Sequence, residues 1–118
     1  MPDIVAIYLF GSQARKDAAP DGDVDLALLS QSKLDGRFRW TLQEELAAIA
    51  HRDVDLVDLR QASTVMRVQV LRDGIVLLDA QPRLRAAFEM TALSAYARLN
   101  EERRGILDDA LARGQIHG

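Results

Sequence analysis

Apolar and polar positions fall into blocks along this chain, and the period of each block predicts an element. Residues 4–10, IVAIYLF, are a continuous apolar run rich in β-branched and aromatic side chains, the pattern of a strand buried on both faces. Residues 23–29, DVDLALL, predict a second strand, in which period two sets Asp23, Asp25 and Ala27 on one face and Val24, Leu26 and Leu28 on the other. Residues 53–59, DVDLVDL, predict a third strand, and residues 75–79, IVLLD, a short fourth. Elsewhere the period is helical. Phe38, Leu42, Leu46 and Ile49 define an amphipathic helix over 38–50, and residues 62–72 define another, with Gly74 as its stop. From Pro82 to about Ala112 a single long helix is expected, with Leu84, Phe88, Ala92, Ala95, Leu99 and Ile106 along one stripe. The expected fold class is α/β: a small mixed sheet of about four strands, helices packed on one face, and a long C-terminal helix.

A length of 118 residues suits one domain over 1–118, with a core over about 4–79 and a helical segment over about 82–112. DVDL occurs twice, at 23–26 and 53–56, but the surrounding elements do not repeat. The chain has no cysteine, which removes disulfides, iron–sulfur clusters and thiolate zinc sites together. With only His51 and His117 as imidazoles, any metal must be held mainly by oxygen, so the candidates are hard cations: Mg²⁺, Mn²⁺ or Ca²⁺. A net charge of −3 provides no global basic field, so direct binding of duplex nucleic acid is not expected. No apolar run approaches the ~20 residues of a membrane span, and no signal-peptide pattern opens the chain, so a cytoplasmic location is expected.

Asp23 and Asp25 would project from one strand face, ~6–7 Å apart along the chain. Charges heading an apolar strand are costly unless they reach solvent or a partner. If the second DVDL strand lies beside the first, Asp53 or Asp55 joins the pair, and the cluster either repels itself or holds a cation. Asp17, Asp21 and Asp58 are assigned to turns or the surface. Gly11-Ser12 sits between a strand and a helix start, where Ser12 caps a short helix beginning at Gln13 and Ala14. Glycine admits close approach to the backbone, the helix start offers free N–H groups, and Arg15 adds a positive charge, so this turn is a candidate phosphate cradle. A phosphate cradle beside metal carboxylates is the apparatus of phosphoryl-type transfer.

LFGS, ten residues, DVD, and then DVDLVDL resembles the DNA polymerase β-like nucleotidyltransferase superfamily, and within it the MNT-domain minimal nucleotidyltransferases. The resemblance covers about residues 4–79, and LRDGIVLLD is similar to the family's last strand and its approach. It implies that Asp23 and Asp25 hold two Mg²⁺ ions (Mn²⁺ as a substitute), and that Asp55 completes one metal site and helps activate the attacking hydroxyl. It implies further that Gly11 and Ser12 bind the triphosphate of ATP. Asp53 competes as the third acid, and Asp55 is preferred because it aligns with the acid of the family's V-D-L-V pattern. The chain departs from the family at Lys16, where many members have glycine, and in reaching its first strand within three residues, where most members carry a preceding helix. MNT proteins commonly act as antitoxins of HEPN-domain ribonuclease toxins. The resemblance therefore implies AMP transfer from ATP to a toxin tyrosine, and a hetero-oligomer with that toxin. The stretch 85–99 is similar to the C-terminal helix of those antitoxins. The alternatives are a small-molecule nucleotidyltransferase and a toxin-binding antitoxin without catalysis.

Overall fold

The computed structural model describes residues 3–14 and 22–113. In chain order these form β1 (Ile4–Phe10), β2 (Val24–Ser30), α1 (Gly36–Ala50), β3 (Val54–Asp58), α2 (Thr64–Asp73), β4 (Ile75–Asp79) and α3 (Pro82–Ala112), with a 3-10 turn over Gly11–Ala14 after β1. The four strands make one mixed sheet in the order β3-β2-β1-β4. β1 is antiparallel to both of its neighbours, and β2 and β3 run parallel.

Helix ends are written locally in the sequence. The Asp35 side chain accepts from the Phe38 N–H at 3.3 Å to open α1, and Ser63 accepts from the Met66 N–H at 3.1 Å to open α2. α1 closes on His51 in the left-handed region (φ 54). α2 closes on Gly74, where a Cβ would strike the Val70 carbonyl oxygen, so the expected stop is set by close approach rather than by a left-handed turn.

The sheet is covered on both faces, which corrects the expectation of helices on one face. Tyr8, Phe10, Ala27 and Leu29 pack with Val70 of α2 and Phe88 of α3. On the other face Leu28 and Leu56, with Leu26 and Ile7 beside them, pack against Phe38 and Leu42 of α1. The physical reason lies in β2 and β3, which are apolar on both faces below their acidic heads and need a cover on each. Trp40 is more than half exposed on α1.

α3 is one unbroken helix, but its stripe serves the core only in its first half. Phe88 and Ala92 are buried, whereas Ile106, Leu107 and Leu111 stand in solvent. The buried half is tied down by polar contacts as well. The Tyr8 hydroxyl donates to Glu89 Oε2 at 3.0 Å, and Arg85 reaches both Glu89 and Asp79 of β4, each at 3.0 Å. Burial and the Glu89 carboxylate push the Tyr8 phenol well above its usual pKa, so it remains a donor.

Candidate active site

The topology brings three chain segments to one end of the sheet. β1 runs antiparallel to β2, so its end, Phe10, pairs with Asp25 near the start of β2. β3 runs parallel to β2 in a register that sets Asp55 directly beside Asp25. Adjacent strands lie ~4.8 Å apart, so the two carboxylates leave the sheet as neighbours on the face that also bears Ala27, Leu29 and Val57. Asp23 precedes β2 by one residue and is exposed, as is Asp55, while Asp25 is half-buried between them. The Asp25 carboxyl is raised above its ordinary pKa, first by desolvation, then by the charge of Asp55, then by that of Asp23. Asp53 lies just outside β3, its carbonyl accepting from the Val24 N–H at 2.9 Å, and its charge is not among those acting on Asp25.

Gly11 closes the other side of Asp25. It has φ 70, a left-handed conformation that favours glycine, and a Cβ there would land on Asp25 Oδ2. Both facts require glycine at this position. Ser12 is exposed and lies within the 3-10 turn instead of capping a regular helix from outside, which corrects the expected cap. Arg15, Lys16, Asp17 and Asp21 lie outside the described residues. Arg85 pairs with Asp79 and Glu89, and Arg113 with Asp109; among the described residues, no three His, Asp or Glu side chains stand close enough together to hold a metal ion by themselves.

Asp58 is not the surface residue that the sequence suggested. It is 5% exposed, and its carboxylate accepts from the Leu34 N–H at 2.7 Å, the Gln61 amide at 2.9 Å and the Arg60 N–H at 3.0 Å. It thereby ties the loop before α1 to the turn after β3. The bond to Arg60, two residues on, is an Asx turn, which an Asp at a strand end can signal. A groove of about 320 Å³, not foreseen from the sequence, runs along the outer side of β3, lined by Asp55, Arg39 and Gln61 among others.

A glycine held against one of a set of clustered strand carboxylates, at the end of a mixed sheet, defines the nucleotidyltransferase class. The chain matches the family described as polymerase beta, nucleotidyltransferase, over residues 1–83, and it belongs to that family. Over 112 residues it is 40% identical to the protein adenylyltransferase MntA of Shewanella oneidensis, covering 95% of this chain and 80% of the relative. A chain in the crystal structure of a toxin–antitoxin with AMP-PNP superposes with a TM-score of 0.80 at 40% identity, over 94% of this chain and 89% of that one. A chain of the tri-AMPylated Shewanella oneidensis HEPN toxin in complex with MNT antitoxin superposes with a TM-score of 0.74 at 39% identity, covering 94% and 86%. No helix among the described residues is long and apolar enough to cross a membrane.

Proposed function

We propose that this chain transfers AMP from ATP to a protein hydroxyl, a tyrosine of a HEPN-domain toxin, and so acts as an antitoxin in a hetero-oligomer with that toxin. The observation that carries the reading is the register that sets Asp25 beside Asp55 and presses it against Gly11. Its support from relatives is the 40% identity to a protein adenylyltransferase and the likeness to toxin–antitoxin complexes, one with an ATP analogue and one with an AMPylated toxin. The unit is the single domain 1–118, the catalytic core spans about 4–79, and the cytoplasm, where ATP is made available, is the site of action.

Asp23, Asp25 and Asp55 suit Mg²⁺, or Mn²⁺, in their donor chemistry, since all three offer oxygen. Mg²⁺ keeps several waters and is usually held by one or two carboxylates plus substrate phosphates, so an open carboxylate cluster without a closed protein cage is the form such a site takes. When bound, the ion would neutralise charge on the phosphate oxygens. Gly11 and Ser12 would receive the triphosphate, the glycine by leaving the backbone open to it and the serine through its hydroxyl. Arg15 would add a cation to the same loop. Asp55 would orient the acceptor hydroxyl and take up its proton.

Intact-mass spectrometry of the cognate toxin after incubation with this protein, ATP and Mg²⁺ tests the reading, with Asp23→Asn alongside. Mass increments of one AMP each, absent with the variant, are expected. A toxin neutralised without any increment by both proteins would instead leave a binding antitoxin. Labelling of a small hydroxyl compound in place of the toxin would leave a small-molecule transferase.

A further inference from the structure

The order of the strands gives the site two distinct sides. Asp25 on β2 is flanked by Gly11 and Ser12, at the end of β1, and on the opposite side by Asp55 on β3. Nucleotidyl transfer is an in-line displacement: the acceptor oxygen forms a bond to the α-phosphorus as the bond to pyrophosphate breaks on the far side. If the triphosphate rests on Gly11 and Ser12, pyrophosphate leaves toward β1 and the acceptor must come from the β3 side. The groove outside β3 lies on that side, with Asp55, Arg39, Gln61 and Ala62 among its lining residues.

β3 is an edge strand, and an edge normally invites a partner strand. Here the outward-facing backbone at its centre is already taken. The Leu56 N–H donates to Gln43 Oε1 at 2.9 Å, and the Leu56 carbonyl accepts from Arg39 Nη1 at 3.1 Å. The Asp58 carbonyl accepts from the Gln61 N–H at 3.1 Å. An acceptor segment therefore cannot bind by extending the sheet and must be read through side chains. Within the groove the Asp58 carboxylate is saturated by its three donors, and Arg39 is the one cationic group among the lining residues. Arg39 is half-buried, with Nη1 donating to the Leu56 carbonyl and to Gln43, while its Nε and Nη2 donate to no group among the described residues. A guanidinium fixed by one nitrogen, with its other N–H groups directed away from that anchor, is suited to a carboxylate.

Resting on the adenylyltransferase reading above, we propose that this β3 groove is the acceptor site. It takes a hydroxyl-bearing side chain presented from the folded surface of a protein, with Arg39 pairing an acidic side chain beside the acceptor hydroxyl. The acceptor oxygen attacks the α-phosphorus of ATP, its proton passes through Asp55 to water, and pyrophosphate departs on the Gly11 side. Arg39 is a specificity-determining residue in this scheme and takes no part in bond making.

The experiment is steady-state AMP transfer to the cognate HEPN toxin by wild type, Arg39→Glu, Arg39→Lys and the exposed-site control Arg37→Glu, with AMP-PNP binding measured by calorimetry and folding by thermal melting. Arg39→Glu is expected to raise KM for the toxin by roughly tenfold or more, the size of a lost charge-assisted hydrogen bond. KM for ATP, AMP-PNP affinity and kcat should stay within about twofold, Arg39→Lys should recover most of the loss, and Arg37→Glu should match wild type. An unchanged toxin KM in a folded Arg39→Glu protein that still labels the toxin overturns the groove assignment alone. A fall in kcat or AMP-PNP affinity with no change in toxin KM also overturns it, because Arg39 would then act only by holding β3 in place. Wild type that binds AMP-PNP but never labels the toxin overturns the adenylyltransferase reading, and the acceptor groove with it.

Discussion

Replacing Asp25 by Asn should make the metal-free protein more stable, although it removes a central group of the site. Asp25 faces Asp55 across ~5 Å of sheet, where two unit charges repel by about 0.8 kcal/mol in water and about 3 kcal/mol at an effective dielectric of 20. Both neighbours, Asp55 and Asp23, are exposed, so the aqueous end of that range applies. Adding Asp23 at ~6–7 Å brings the repulsion to about 1.5 kcal/mol, and screening at 0.1 M salt leaves about 1 kcal/mol. Asp25→Asn should therefore raise Tm by roughly 4 °C in dilute buffer without metal. The sign with pH follows from the raised carboxyl. In the folded chain Asp25 holds its proton to higher pH than in the unfolded chain, so its favourable contribution is complete below the unfolded value of 3.8 and is lost as pH rises through the folded one. The gap between variant and wild type should be full at pH 7, close as pH falls toward 4, and shrink at 1 M salt to the part due to desolvation. Mg²⁺ with AMP-PNP should reverse the order by stabilising wild type more than the variant. Thermal melts over a grid of pH, salt and ligand measure all of this. A variant that is less stable than wild type at pH 7 without metal, or a gap independent of pH, would refute the argument that these carboxylates repel.

Three further outcomes follow from the same geometry. Gly11→Ala should cost about 1–2 kcal/mol for its left-handed backbone, and by pushing on Asp25 it should lower kcat for AMP transfer well beyond what the lost stability accounts for; denaturant melts and kinetics together separate the two. Asp58→Ala leaves three donors without their acceptor in a buried turn and should cost about 3 kcal/mol or more in urea unfolding, whereas Asp58→Asn, which keeps one acceptor oxygen, should cost less. Amides over 101–112, on the exposed half of α3, should exchange nearly as fast as those of an isolated helix, while those around Phe88 and Ala92 approach global protection.

Much of this fold was legible because its signals are local. The apolar runs at 4–10 and 75–79 became β1 and β4 with the same bounds, and DVDLALL and DVDLVDL became β2 and β3 within a residue at each end. Gly74 marks the expected stop of α2, whereas the starts of α1 and α2, placed two residues off by periodicity alone, are set by the caps Asp35 and Ser63. The acidic heads of the two DVDL segments were visible in sequence, but their meeting was not: it depends on parallel pairing in one particular register, a long-range fact that no spacing encodes. The same limit hid the layer order. Leu26, Leu28 and Leu56 form a second apolar face, but nothing local said that α1 would cover it while α2 and α3 took the other.

Asp58 and the distal half of α3 show why residue type alone misleads at both extremes of burial. Asp58 looked like one more acid in an alternating acidic strand, yet burial is tolerable there because three donors from two loops converge on it, and two of those donors, Leu34 and Gln61, lie beyond its immediate sequence neighbours. Ile106 looked like a continuation of the apolar stripe, yet it stands in solvent, as do Leu107 and Leu111 beside it. Helical periodicity reports that one face is apolar; it does not say what that face meets. The active-site end resolves the same ambiguity in a different way. Asp55 and Asp23 instead raise the cost of ionising Asp25, which lies half-buried between them. A cluster that the fold alone would disfavour is explained when a cation and a nucleotide complete it, and so the least stable arrangement of charge in the sheet is the one that indicates function.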